Sequence, residues 1–319
     1  MFAAVAMAMA ACSSNDEGPA VAQNDTIELT TGVARTRATS QLIQSTQIEN
    51  GQNVWVEATS SVLPTQNTGT GSGQWSTTGP TYTASCVYVG NGIGNLSSAS
   101  PIKWPKNLAS SGTETVDIKA WAPFSAAVTP NTTTFEVRAD QTTEADYLAS
   151  DYLYAEKTGI VRSDITSPVA LTFSHMLSKI NVNLFAIDPT ATPIDGATVE
   201  FGPATLEHQA VIGLNGTVTK NNAVQGKVTL TSSLEAAHTC SAIIIPQLIT
   251  ASVGTPTVLF TITLPGTAGI KYYQLTTNKS YDPKKEYTYN ITISDGETIV
   301  LSEQITDWVE GGPESVIAN

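Results

Sequence analysis

Histidine and cysteine side chains do most of the acid–base, nucleophilic and metal chemistry near neutral pH, and this 319-residue chain has three of each. His175, His208 and His238 fall in no His-Glu-x-x-His frame, and none stands beside a cysteine pair at zinc-ligand spacing. A Gly-x-Ser-x-Gly elbow, a Walker A loop and an EF-hand loop are absent from the sequence. Gly90-Asn-Gly-Ile-Gly94 lacks the spacing that cradles a dinucleotide phosphate and lies between two strand-like runs, so it reads as a turn. Carboxylates are scattered at strand ends and turns. His175 follows Thr-Phe-Ser on a strand pattern and reads as a satisfied structural histidine. The residues therefore predict no catalytic group, no metal and no cofactor. Cys86 and Cys240 lie in different halves of the chain and read as buried thiols acting as small hydrophobes.

The elements that would position any site are strands. Charged residues make up only 13% of the chain, too few for long solvated helices, while Thr, Ser, Asn and Gly are abundant. Short alternating runs recur at Val54–Ala58, Tyr82–Val89, Thr115–Trp121, Thr134–Val137 and Asp151–Ala155. A second set runs from Val169 through Ala242–Pro246, Thr257–Leu264, Lys285–Ser294 and Thr298–Ile305. Strands at about 8–12 residue spacing with turn signals between them indicate β-sandwiches. Val169, Leu171 and Phe173 share one parity and Ile180, Val182 and Leu184 the other, so a bulge or break is expected between His175 and Ser178. Thr142–Leu148 allows a single helical turn. The division between halves falls near residue 165, giving one sandwich over 26–165 and another over 166–319. The net charge of −13 argues against nucleic acid, which needs a basic face.

The N-terminus carries a compartment signal. Met1–Ala11 is a run of small apolar residues that ends at Cys12, followed by Ser-Ser-Asn-Asp-Glu17. This resembles the lipobox of bacterial lipoproteins, which implies a signal peptide over 1–11, cleavage before Cys12, and acylation of its thiol. No Lys or Arg precedes Cys12, so the true start of the signal is expected upstream of Met1. Tethering to the outer membrane would rest on acyl chains, each buried CH₂ contributing about 0.8 kcal/mol. Residues 12–25 read as the lipidated tether. Asp25-Thr-Ile-Glu-Leu-Thr-Thr-Gly-Val33 then reads as a first strand, with Ile27, Leu29 and Val33 on one parity. Arg35 and Arg37 follow in a loop-like stretch, and taken alone are two solvated cations.

Several segments in order are similar to one family, the fimbrillin (Mfa-like) proteins that form type V pili. They are the acidic tether, Val33-Ala-Arg35-Thr-Arg37-Ala38, Ile118-Lys-Ala-Trp121-Ala-Pro123-Phe124, Phe173-Ser-His175-Met-Leu-Ser-Lys179-Ile and Ile305-Thr-Asp307-Trp308. The resemblance implies two tandem transthyretin-like Greek-key β-sandwiches and a structural or adhesive subunit, as shaft, tip or accessory component. It implies other pilin subunits and an Arg-specific surface protease as partners. Cleavage after Arg37 would leave Ala38 at the new N-terminus, and cleavage after Arg35 would leave Thr36. Either cut removes the first strand, with Ile27, Leu29 and Val33 as its plugs, and a strand from another subunit fills the vacated groove. The competing reading is a surface-exposed glycan-binding lipoprotein without pilus assembly, using some of the five tryptophans and ten tyrosines as sugar platforms.

Overall fold

The computed structural model describes residues 25–31, 48–64, 66–79, 81–105, 115–125, 134–162, 168–188, 194–232, 238–266, 269–293 and 298–308. They form an all-β chain with one short helix. The first half contributes β1 (Leu29–Thr30), β2 (Asn53–Ser60), β3 (Tyr82–Gly90), β4 (Asn95–Ser97), β5 (Thr115–Ala122), β6 (Thr134–Glu136), α1 (Glu144–Ala149) and β7 (Leu153–Val161). Next come β8 (Val169–Ala170), β9 (Ser174–His175), β10 (Ser178–Ala186), β11 (Thr198–Phe201), β12 (Glu207–Ile212), β13 (Val218–Gln225), β14 (Val228–Thr229) and β15 (Thr231–Ser232). The last set is β16 (Thr239–Ile244), β17 (Gln247–Ile249), β18 (Thr257–Thr263), β19 (Ile270–Leu275), β20 (Lys279–Tyr281), β21 (Lys285–Ile293) and β22 (Thr298–Asp307).

An eight-stranded sheet in the order β8-β1-β4-β3-β2-β5-β7-β9 encloses the first core. Strict alternation builds it: Val54, Val56 and Ala58 of β2 face Ala84, Cys86 and Tyr88 of β3 on the inner side. A five-stranded sheet, β15-β16-β10-β21-β22, and a four-stranded sheet, β14-β11-β18-β19, enclose the second. Its floor is aromatic, with Phe201, Phe260, Tyr281, Tyr287 and Tyr289 meeting edge to face at centroid separations of 4.8–5.4 Å. Such contacts add to area burial because ring edges are positive and ring faces negative.

A third cluster joins the halves. Trp121, Phe135, Tyr147 and Tyr152 from the first set of strands and α1 pack with Met176, Leu177, Ile212, Ile243 and Trp308. The expected break between His175 and Ser178 lies in this junction. β9 pairs with β7 in the first sheet, whereas β10 pairs with β16 and β21 in the second. Met176 and Leu177, between them, bury into the joining cluster. The change of phase is thus the crossing from one sandwich to the next.

The helical turn also forms. Thr143 caps α1 by accepting a hydrogen bond from the Asp146 amide, and its hydroxyl donates to Asp146 Oδ2 at 2.6 Å. The 90–94 stretch is a turn, in which Gly92 and Gly94 supply φ of +71° and +94°. Asn91 Oδ1 holds it by accepting from the Ile93 and Asn95 amides.

Cys86 and Cys240 are both free and buried. Burial pushes the Cys240 thiol up to about 12, where little thiolate exists to react. Neither thiol is expected to be alkylated by iodoacetamide until the chain is denatured, read from the masses of the two cysteine peptides. Labelling of either in the native protein would contradict the inward phase of β3 or β16.

Candidate functional site

β1 lies in the interior of its sheet, between β4 and β8. It runs antiparallel to β4 and parallel to β8, with Leu29 opposite both Leu96 and Val169. The odd residues bond one neighbour. The Ile27 amide donates to Ile102 O at 2.9 Å, the Thr31 amide donates to Gly94 O at 2.8 Å, and Asp25 O accepts from the Trp104 amide at 2.8 Å. Even residues bond the other. Glu28 O accepts from the Val169 amide at 2.8 Å and Thr30 O accepts from the Leu171 amide at 2.7 Å. A seven-residue segment, 25–31, is thereby stitched on both edges.

The side chains follow from the same alternation. Ile27 and Leu29 are 2% and 3% exposed and belong to the first core. Each such side chain contributes roughly 1.5–3 kcal/mol by leaving water. Thr31 is the third inward position. It is buried, and its hydroxyl has no hydrogen-bond partner. The sequence singled out Ile27, Leu29 and Val33 as plugs. Ile27 and Leu29 are inward, and Val33 lies outside the described residues, as do Cys12, Arg35, Thr36, Arg37 and Ala38. A cavity of about 300 Å³ lies against the strand, lined by Ile27, Leu29, Tyr88, Leu96, Pro101 and Pro168.

At the start of the segment stands Asp25, whose Oδ1 accepts from Arg162 Nη2 at 2.9 Å. The Arg162 side chain is only 8% exposed, and its Nε has no acceptor. Nothing in the sequence marks this pair. Asp25 and Arg162 lie 137 positions apart, and only the fold brings them together.

The three histidines are occupied structurally. His175 Nδ1 shares a hydrogen bond of 2.7 Å with Asp151 Oδ2, both side chains being buried, and the ring stacks on Trp308 at 3.9 Å with planes 5° apart. His208 Nε2 bonds Gly226 O at 2.9 Å, and burial lowers its pKa from the ordinary histidine value. His238 lies 3.4 Å from Asp195 at the surface. Among the described residues no cluster of three or more His, Cys, Asp or Glu side chains is placed to hold a metal.

The tryptophans are likewise spent on packing, while Phe185 and Tyr272 are exposed. Trp75, Trp104, Trp121 and Trp308 are buried, and Trp55 is partly buried with its ring tilted 33° against Phe124 at 5.0 Å.

At the far end of the described chain, β22 forms the edge of the five-stranded sheet and, among the described residues, pairs only with β21, from Lys285↔Asp307 to Ile293↔Thr298. Ser302 to Asp307 are exposed at every position. Side-chain contacts hold the strand: Lys279 with Glu303, Lys285 with Asp307, Asn290 with Ser302, and Trp308 with His175.

A family model described as Fimbrillin-like matches residues 36–308. Among solved structures, a candidate cell adhesion protein from Bacteroides uniformis ATCC 8492 superposes with a TM-score of 0.60 at 18% identity, covering 89% of this chain and 97% of that one. A second, from Bacteroides ovatus ATCC 8483, superposes with a TM-score of 0.59 at 16% identity over 89% and 98%. At these identities the likeness is one of fold. No curated protein matches in sequence.

Proposed function

The chain belongs to the fimbrillin-like family, and from that membership we propose a pilus subunit that exchanges its own first strand for a strand of a neighbour. The family is one of structural subunits of cell-surface fimbriae, so the protein is not an enzyme. In this reading the chain is exported as a lipoprotein acylated on Cys12 and carried to the outer membrane. An Arg-specific surface protease then cuts after Arg37, leaving Ala38, or after Arg35, leaving Thr36.

The observation that carries the reading is the place of β1. It is the first strand of the described chain, it is bonded on both edges, and two arginines follow it within eight residues of Leu29. Loss of an edge strand would leave one row of unpaired amides and carbonyls. Loss of this interior strand leaves two rows facing each other across a slot, with holes where Ile27 and Leu29 sat. Main-chain groups on both sides supply affinity for a new strand, and the two holes supply its phase. An open slot of that kind is an aggregation hazard, which gives a physical reason for keeping it plugged during export.

The glycan-binding alternative draws less support, because the tryptophans that would stack on sugar rings are buried or partly buried. The test is the N-terminal sequence and polymer state of the protein from cells, with and without an Arg-specific protease. We expect an N-terminus at Ala38 or Thr36 and SDS-resistant ladders only when the protease is present. A stable monomer that keeps acylated Cys12 under both conditions overturns strand exchange.

A further inference from the structure

In the second sandwich, β19 turns Tyr273 and Leu275 onto the core and leaves Ile270, Tyr272 and Gln274 on the outer face. Tyr272 is 53% exposed. Strand register sets a row of side chains beside its ring. Tyr272 stands opposite Thr261 of β18, Thr261 opposite Glu200 of β11, and Glu200 opposite Thr229 of β14. The row continues to Asp140, which is bridged in parallel to Thr229. In that bridge the Thr229 amide donates to Ala139 O at 2.8 Å, and Thr229 O accepts from the Gln141 amide at 3.0 Å. Bridged partners share a face, and Asp140 is exposed where Gln141 turns inward. Four strand spacings of about 4.8 Å make the row about 19 Å long.

The polar members of the row are held in place. Lys227 Nζ donates to Glu200 Oε2 and to Thr261 Oγ1, both at 3.0 Å. Asp140 Oδ1 accepts from the Thr142 hydroxyl at 2.6 Å and the Thr142 amide at 2.9 Å, and these bonds hold its carboxyl below the ordinary range. Each group keeps capacity to spare: a third ammonium hydrogen on Lys227, and the second oxygen of Glu200 and of Asp140. An apolar ring thus lies in line with fixed donors and acceptors. One lysine stands against two carboxylates, so the charges of the row nearly cancel and leave it slightly acidic.

We propose that this row is a binding platform for a linear, neutral, β-1,4-linked polysaccharide lying across the strands, with one sugar on Tyr272 and later ones over the Lys227–Glu200 pair and Asp140. A pyranose has an apolar C–H face and a rim of hydroxyls that both donate and accept, which is the division the row presents. One unit of an extended β-1,4 chain is about as long as one strand spacing, so successive sugars meet successive strands. The two carboxylates disfavour acidic glycans, as does the net charge of −13. A protein partner would need an apolar centre, and Ile270 and Tyr272 together offer too small a one. The platform uses no tryptophan and nothing of β1, so it is present before and after removal of the first strand.

The experiment is affinity electrophoresis of the full chain through native gels containing hydroxyethylcellulose, glucomannan, dextran or heparin. We expect retardation in the first two gels. We expect none in dextran, whose α-1,6 backbone is no extended ribbon, and none in heparin, which is anionic. Tyr272→Ala should weaken binding about tenfold, as the loss of one aromatic platform implies. Glu200→Gln should weaken it about fivefold, since the amide breaks the ion pair that aims Lys227. Both side chains point outward, so the denaturation midpoints should stay at the wild-type value. Phe185→Ala removes an exposed ring from β10, in the other sheet, and should bind as the wild type does. No retardation in either β-1,4 gel overturns the proposal. Equal retardation in dextran overturns it too, as does a loss in Phe185→Ala as large as that in Tyr272→Ala, because each would mean general adsorption. Wild-type binding by Tyr272→Ala overturns the site.

Discussion

Replacing Leu29 by Ala in the uncut chain is expected to cost about 2–5 kcal/mol of stability, the range for removing a fully buried leucine side chain. Leu29 is 3% exposed and sits opposite Leu96 and Val169, so the hole left behind has walls on both neighbouring strands. β1 is also short, and its backbone hydrogen bonds to the sheet can be replaced by water at little net cost. The apolar plugs therefore decide whether the strand stays in place. Glu28, one residue earlier, points the other way and is exposed, so Glu28→Ala should change stability by no more than about 0.5 kcal/mol. Denaturant titration of the three uncut proteins measures both differences. The same two substitutions should be silent in the subunit after cleavage at Arg37, because neither residue is then present. Equal costs for Leu29→Ala and Glu28→Ala would refute the inward phase of β1, and a cost for Leu29→Ala that survived cleavage would refute its removal.

What the sequence made legible was periodic. Alternation over Val54–Ala58, Tyr82–Val89 and Thr115–Trp121 became β2, β3 and β5, because a strand covered on one face writes its burial into every second residue. Ile27 and Leu29 were readable for the same reason. The parity change after His175 was readable too, since no uniform strand can turn its apolar set to the other face. Thr31 escaped notice because a hydroxyl side chain reads as outward, yet the pleat carries it inward and its hydroxyl is left without a partner. The interior position of β1 is a matter of sheet order, and periodicity carries no information about which strands are neighbours. Arg162 was invisible on both counts. It lies just past the end of a strand and its partner is distant in the chain, so neither spacing nor composition points to it. The cations that sequence reasoning favoured, Arg35 and Arg37, drew attention by lying close together, which is the one kind of proximity that a sequence displays.

Substituting His175 by Ala is expected to destabilise the chain by about 1–3 kcal/mol, the range for leaving a buried hydrogen-bonding group without its partner. Asp151 is 1% exposed, and its Oδ1 already lacks a partner. Loss of His175 would remove the bond to Oδ2 as well and leave both carboxylate oxygens dry and unanswered. The change also takes away the ring on which Trp308 stacks, an aromatic contact worth roughly 0.5–1.5 kcal/mol beyond its buried area. Changing both residues together, as Asp151→Asn with His175→Phe, removes the carboxyl group left without its partner and keeps a flat ring under Trp308, so it should cost less than His175→Ala alone. That inequality is the diagnostic. If burial of the ring were the whole contribution, His175→Phe would be nearly neutral with Asp151 intact, and adding Asp151→Asn would bring no recovery. The two terms also separate in space. Trp308 closes β22, so His175→Ala should speed amide hydrogen exchange along Ser302–Asp307, whereas the Phe-containing double variant should keep it near the wild-type rate. Unchanged exchange in His175→Ala would mean that β22 is held by its pairing with β21 and its lysine contacts alone, and that the stack on Trp308 serves the junction between the sandwiches rather than the strand that ends there.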